Sequence, residues 1–102
     1  MDQEHDEAFY LRARVIGGIF AGSLAVAVGY DIGGKGGIYV AAVGGFFGIC
    51  IGENLSAVFA YFLPNFENAE NVCGFYGGLI AAVIAARVGI SVAKEFDPNF
   101  VY

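Results

Sequence analysis

Three long apolar segments constrain the fold of this chain more than any other feature. They run from about Val15 to Tyr30, from about Ile38 to Leu63 and from about Val72 to Ala93. A helix that crosses a bilayer needs about 20 apolar residues, with a range of roughly 17–25. The third segment fits this length, and the first reaches it if it extends back through Phe9–Arg14, because arginines near a membrane end can snorkel to the headgroups.

The composition is also that of a membrane protein. Charged residues make up 15% of the 102 residues, whereas a soluble domain carries about 25%. Most charges lie near the two ends. Between Val15 and Ala93 the only charged residues are Asp31, Lys35, Glu53, Glu67, Glu70 and Arg87. Because lipid offers the backbone no hydrogen-bond partner, we predict an all-α integral membrane bundle with about three transmembrane helices.

We predict one membrane domain over residues 1–102. Helices are expected at about residues 12–31, 38–63 and 72–93, between a polar tail at 1–11 and a C-terminal tail at 94–102. The Gly-rich link Asp31–Gly37 is interpreted as a turn, and Pro64–Asn71 as a polar connection. Two alternatives stay open for the second segment. It is either one tilted helix of about 39 Å, or a span from about Gly36 to Gly52 that continues along the interface from Glu53.

Small residues recur every four positions on each predicted helix. Residues four apart share a helix face, and a face of small residues lets backbones approach in lipid, where van der Waals packing must hold helices together. The lines are Gly17, Ala21, Ala25 and Gly29 beside Gly18 and Gly22; Gly44, Gly48, Gly52, Ser56 and Ala60; and Gly77, Ala81, Ala85, Gly89 and Ala93 beside Gly74, Gly78, Ala82 and Ala86.

These lines define the candidate packing site. Its residues are Gly17, Ala21, Gly44, Gly48, Gly52, Gly74, Gly77, Gly78 and Gly89. The third helix carries two lines side by side, so we expect it to contact two neighbours. We also expect the lines to exceed what three helices use for themselves, which leaves packing surface for partner chains.

Glu53 and Arg87 are the candidate polar groups inside the membrane. An ionisable residue at mid-membrane is costly and suggests a functional site. Glu53 has three interpretations: an interfacial residue beside Asn54 and Ser56, one half of an ion pair with a partner subunit, or a carrier of protons or cations. Arg87 is expected to snorkel towards Ala93. A direct Glu53–Arg87 pair is disfavoured, because helical rise places the two about 10 Å apart in depth.

The sequence contains no constellation typical of catalysis. Cys50, Cys73 and His5 give no metal-ligand spacing, and Gly33–Gly37 lacks the order of a phosphate-binding loop. No basic patch suggests nucleic acid. We therefore expect no enzymatic activity, cofactor, metal or small-molecule substrate. The acidic N-terminus resembles neither a secretory signal nor a mitochondrial presequence, so any organelle signal is expected to be internal.

The stretch NVCGFYGGL from Asn71, continuing to ARVG ending at Gly89, opens with Asn after a polar connection and ends in Arg and Gly. In these features it resembles a helix of the mitochondrial inner-membrane protein translocase (Tim) family. The stretch Gly44–Gly48 is similar to the family's penultimate helix. The match covers roughly residues 40–90. This chain has three predicted spans instead of four, and no basic residue occurs in Glu67–Glu70 before the Asn.

The resemblance implies a mitochondrial inner-membrane location. That family includes a small accessory subunit of respiratory complex I without transport activity, and the departures favour this role over a protein-conducting channel. We therefore expect a non-catalytic structural subunit of a larger membrane complex, with complex I as the first choice, that packs on other membrane subunits and lipids. The alternatives are a transport component, either a translocase subunit or a proton or ion pathway using Glu53, and a self-assembling membrane protein.

Overall fold

Three long α-helices packed side by side form the computed structural model of this protein. It describes residues 3–62 and 69–100, with side chains for residues 8–62 and 71–100. The helices are α1 (Gln3–Ile32), α2 (Gly34–Phe62) and α3 (Ala69–Phe96). The described ranges contain no β-strand. The prediction of an all-α bundle of three helices is confirmed.

Each helix is long and apolar enough to cross a membrane. The candidate spans are Ala8–Ile32, Gly34–Phe62 and Asn71–Phe96. The bundle measures 55 × 18 × 16 Å, so its length exceeds a hydrocarbon core of about 30 Å. The chain is therefore an integral membrane protein, with helix ends that reach beyond the hydrocarbon core.

The first helix begins much earlier than the prediction of residue 12. It starts at Gln3, so most of the predicted polar tail belongs to α1. No Gly or Pro occurs between Asp2 and Ile16, and Glu, Ala, Leu and Arg, which all occur there, are strong helix formers. Residues 1–2 lie outside the described part.

The connection between α1 and α2 is shorter than the predicted turn Asp31–Gly37. Only Gly33 lies outside both helices. Gly33 and Gly34 have φ values of 72° and 67°, a left-handed conformation that glycine adopts at no steric cost. Gly33 N donates to Gly29 O at 3.1 Å, and Gly37 N donates to Gly33 O at 3.0 Å. The chain therefore reverses over two glycines, which places the two helices directly against each other.

The second helix is continuous from Gly34 to Phe62 and passes through Glu53 without a break. Its 29 residues correspond to about 43 Å. The alternative in which the chain turns along the interface at Glu53 is therefore wrong. The helix is described to Phe62. Residues 64–68 of the predicted connection Pro64–Asn71, and Leu63 before them, lie outside the described part. Helix α3 begins at Ala69 rather than at 72.

The C-terminal tail folds back over the start of α2. The third helix continues to Phe96, three residues beyond the prediction. Asp97 N donates to Ala93 O at 2.8 Å, and Phe100 N donates to Asp97 O at 3.0 Å. This turn places the ring of Phe100 where a side chain on Gly36 would otherwise lie.

Small side chains fill the interior and large apolar side chains cover the outside. Alanines on all three helices are fully buried, whereas the largest fully buried side chains in residues 8–62 and 71–100 are Val40, Cys73 and Ser56. Phe46 is 64% exposed, as expected for a side chain that faces lipid. This distribution suits a bundle whose solvent is hydrocarbon, because burying a large apolar side chain there gains no hydrophobic free energy.

Replacing Gly33 with alanine tests the glycine turn. An added β-carbon at Gly33 meets no atom within 4 Å, so the cost arises from the left-handed backbone alone, about 1–2 kcal/mol. We expect Gly33→Ala to lower the free energy of unfolding by about this amount, measured by circular dichroism during titration of detergent-solubilised protein with SDS. Gly33→Asn is the control and should lose less, because asparagine tolerates this conformation. Equal stability of Gly33→Ala and the wild type would contradict the turn geometry.

Candidate functional site at the helix contacts

The contact between α1 and α2 is made by backbone against backbone. A β-carbon added at Gly52 would collide with the carbonyl oxygen of Gly17, and one added at Gly48 would lie 2.9 Å from the carbonyl oxygen of Ala21. Towards the turn, Gly29 lies equally close to the backbone of Gly37. These distances leave no room for a side chain on the glycines. The two helices therefore touch along most of their length.

The contact between α2 and α3 also uses small residues. A β-carbon added at Gly89 would lie 3.0 Å from the Cα of Val40, and one added at Gly44 would lie 3.4 Å from the carbonyl oxygen of Ala85. The line of Gly77, Ala85 and Gly89 on α3 therefore faces α2.

The second small-residue line of α3 faces α1. A β-carbon added at Gly74 would lie 2.6 Å from the Cβ of Ile16, and one added at Gly78 would lie 3.0 Å from the carbonyl oxygen of Gly17. The two adjacent lines on α3 thus contact two different neighbours. Both neighbours belong to the same chain.

Ser56 lies where all three helices meet. Its side chain is fully buried, and its hydroxyl donates to the carbonyl oxygen of Gly74 at 3.5 Å. A β-carbon on Gly17 of α1 would collide with the Ser56 hydroxyl, and one on Gly77 of α3 would lie 2.6 Å from it. A serine suits this position because it is small and its one polar group finds an acceptor on the neighbouring helix.

The small-residue lines are used within the chain, which corrects the expectation that they offer surplus surface to partners. The predicted packing residues are all buried: Gly17, Ala21, Gly44, Gly48, Gly52, Gly74, Gly77, Gly78 and Gly89. Of the remaining members of these lines, Ala86 alone keeps intermediate exposure. The physical reason is that each of three mutually packed helices has two neighbours, so each needs a broad face of small residues.

Glu53 lies in the contact between α1 and α2. It is half-buried, and a β-carbon added at Gly18 would lie 2.9 Å from its Cγ. Ser56 follows it by three residues on the same helix. Its neighbour Asn54 is exposed and donates its side-chain amide to the Cys50 carbonyl oxygen at 2.9 Å. The carboxylate therefore emerges from a helix–helix contact.

Arg87 and Glu53 lie at different depths along the bundle. Arg87 is exposed and lines a groove between α1 and α3. Ala85, two residues before Arg87, contacts Gly44 on the antiparallel helix α2. Gly44 is nine residues before Glu53, so helical rise places Arg87 and Glu53 about 15 Å apart in depth. The structure does not bring these two residues together.

Two contacts at the turn end are not among the predicted packing sites. The Gly29–Gly37 contact had a signal in the sequence, because both glycines lie four residues from Gly33 and must face each other across a tight hairpin. The contact of Phe100 with Gly36 had none, because nothing local to Phe100 indicates which helix the tail meets.

The chemistry of the remaining candidate residues is limited. Among the described residues, no group of three or more His, Cys, Asp or Glu side chains could hold a metal ion. Cys73 is buried, and Cys50 is exposed on α2.

No family model, curated protein or solved structure matches the chain.

Replacing Gly52 with alanine tests the contact between α1 and α2. The new β-carbon would meet the Gly17 backbone, which cannot move aside, so we expect a loss of about 1–3 kcal/mol of stability. Gly45→Ala is the matched control, since its β-carbon meets the end of the Val26 side chain at 3.0 Å and backbone only at 4.0 Å. Both substitutions raise helix propensity by about 1 kcal/mol. SDS titration should therefore separate the two variants, and equal midpoints would contradict the close contact at Gly52.

Proposed function

We propose that the protein is a non-catalytic structural subunit of a larger membrane assembly. The observation that carries this proposal is the filling of the bundle interior by backbone and small side chains, with large apolar side chains outside. Binding sites for small molecules are usually concave pockets lined by apolar groups and a few converging polar ones. The openings between these helices are shallow surface grooves, which suits a solid packing element better than an enzyme.

The mechanism is docking of a rigid body through its outer surface. Because the glycine faces are used internally, partners would meet the exposed side chains instead. Phe46 and Phe47 on α2 and Phe75 and Tyr76 on α3 are exposed, and aromatic residues are enriched where protein surfaces bind each other. Backbone-to-backbone packing inside the bundle holds these side chains on rigid helices, so less ordering is needed on binding.

The resemblance of residues 40–90 to the Tim family makes the mitochondrial inner membrane the first location to test. Within it, respiratory complex I is the proposed assembly, since the family includes an accessory subunit of that complex. The role would be to stabilise the assembly by filling a place between larger membrane subunits.

Native electrophoresis tests this role. The tagged protein, extracted from its own membranes with a mild detergent such as digitonin, should migrate with a large complex, and it should shift to a small species when SDS is added. An unrelated three-helix membrane protein with the same tag is the control and should remain small. Migration of the protein only as a free small species in digitonin would contradict the proposal.

A transport component is the second candidate, and the position of Glu53 favours it. Glu53 is a half-buried carboxylate that packs against Gly18 on a continuous membrane-spanning helix. Placing an ionisable group there is energetically costly, so its presence suggests a function. In a proton or ion pathway this carboxylate would bind and release the transported cation. The same group would also suit an ion pair with a partner subunit.

Glu53→Gln in liposomes separates these possibilities. If Glu53 carries protons or cations, the variant should lose flux almost completely while its helix content and assembly stay the same, because glutamine keeps the shape and removes the charge. Asn54→Ala, at the exposed neighbouring position, is the matched control and should keep its flux. Undiminished flux in Glu53→Gln would remove the transport proposal.

A further inference from the structure

A groove runs between the outer faces of α1 and α3. Leu24 and Val28 line it from α1, and Leu79, Val83 and Ile90 line it from α3. Its volume is about 350 Å³. The groove exists because the two parallel helices meet through Gly74 and Gly78, and their larger side chains diverge on the outside. Its walls are apolar, so in a membrane it accommodates hydrocarbon.

Arg87 borders this apolar groove with its aliphatic stem, and its guanidinium lies outside the groove surface. Along α3 the nearest acid is Glu95, eight residues and about 12 Å further on. On α1 the nearest is Asp31, which is exposed at the helix end about one turn beyond the level of Arg87. Arg87 makes no ion pair within residues 8–62 and 71–100. A guanidinium at this depth needs a compensating anion or water, since an unpaired charge in hydrocarbon is costly.

Lys94 lies on the same face of α3 as Arg87. The two residues are seven apart, or almost two full helical turns, and both are exposed. Lys94 is about 10 Å closer to the end of the helix, at the level expected for headgroups. The groove therefore has apolar walls, with the Arg87 guanidinium at its edge and the Lys94 ammonium outside it, further along α3.

We propose that this groove binds a phospholipid, with an acyl chain along the apolar walls and the phosphate on Arg87. The guanidinium offers a fork of N–H donors that matches two phosphate oxygens, and its long aliphatic stem allows it to reach towards the headgroup layer. Basic positions between transmembrane helices are a recognised type of site for lipid headgroups. The site is independent of the role as a structural subunit, because it needs only this chain and a bilayer.

Native mass spectrometry of the intact, delipidated protein in detergent tests the proposal. The probes are phosphatidylglycerol and a diacylglycerol with the same acyl chains but no phosphate. We expect one phosphatidylglycerol per protein to bind at least about tenfold more tightly than the diacylglycerol, the difference typical of a charge-assisted contact. Arg87→Gln should reduce phosphatidylglycerol binding to the level of the diacylglycerol.

Two further variants make the result specific. Arg14→Gln removes an exposed arginine outside this groove and should bind phosphatidylglycerol as the wild type does. Ala86→Phe keeps Arg87 but fills the groove, and it should also reduce binding. Circular dichroism checks that each variant keeps its helices, and Arg87→Lys, with an intermediate loss, replaces Arg87→Gln if that variant does not fold. Equal binding by the wild type and Arg87→Gln, or equal losses in Arg87→Gln and Arg14→Gln, would overturn the proposal.

Discussion

The close approach of helix backbones is the interaction on which the rest of this structure depends. In lipid, apolar side chains gain nothing by meeting each other rather than hydrocarbon, so helices associate through dense van der Waals contact. The contact of Gly52 with the Gly17 carbonyl is of this kind, and so is that of Gly89 with Val40. Contacts of Cα–H groups with carbonyl oxygens across such interfaces add a small further stabilisation. Only residues with little or no side chain permit this geometry.

The two-glycine turn makes this approach possible between α1 and α2. Because the chain reverses at Gly33 and Gly34, residues at similar distances from the turn lie opposite each other. Gly29 meets Gly37, four residues on the other side of Gly33, and further along the helices Gly17 meets Gly52. The turn thus sets the register, and the register brings small residues together along the whole contact. A longer loop would allow the helices to slide and would lose this match.

The same packing explains the placement of the polar groups. Space between the helices is so limited that, among the polar side chains that the structure describes, only Ser56 lies fully inside, with its hydroxyl bonded to the Gly74 carbonyl. Glu53 and Arg87 have longer side chains and lie at the edges of helix contacts, where Glu53 is half-buried and Arg87 is exposed. These two ionisable side chains are therefore at the outer surface of the bundle, together with the exposed aromatic side chains. Any recognition by this protein would take place there.

The sequence by itself determined the three spans, their helical state and the faces that carry small residues, because span length and every-fourth-residue spacing are local properties of the chain. It also contained the signal for the Gly29–Gly37 contact, in the symmetry of these glycines about the turn. Only the tertiary structure decided which face meets which helix, and it placed both small lines of α3 against helices of the same chain. It also decided that Phe100 covers Gly36 and that Glu53 lies against Gly18. These outcomes depend on the relative rotation and depth of three helices, which the balance of all their contacts sets and no single segment encodes.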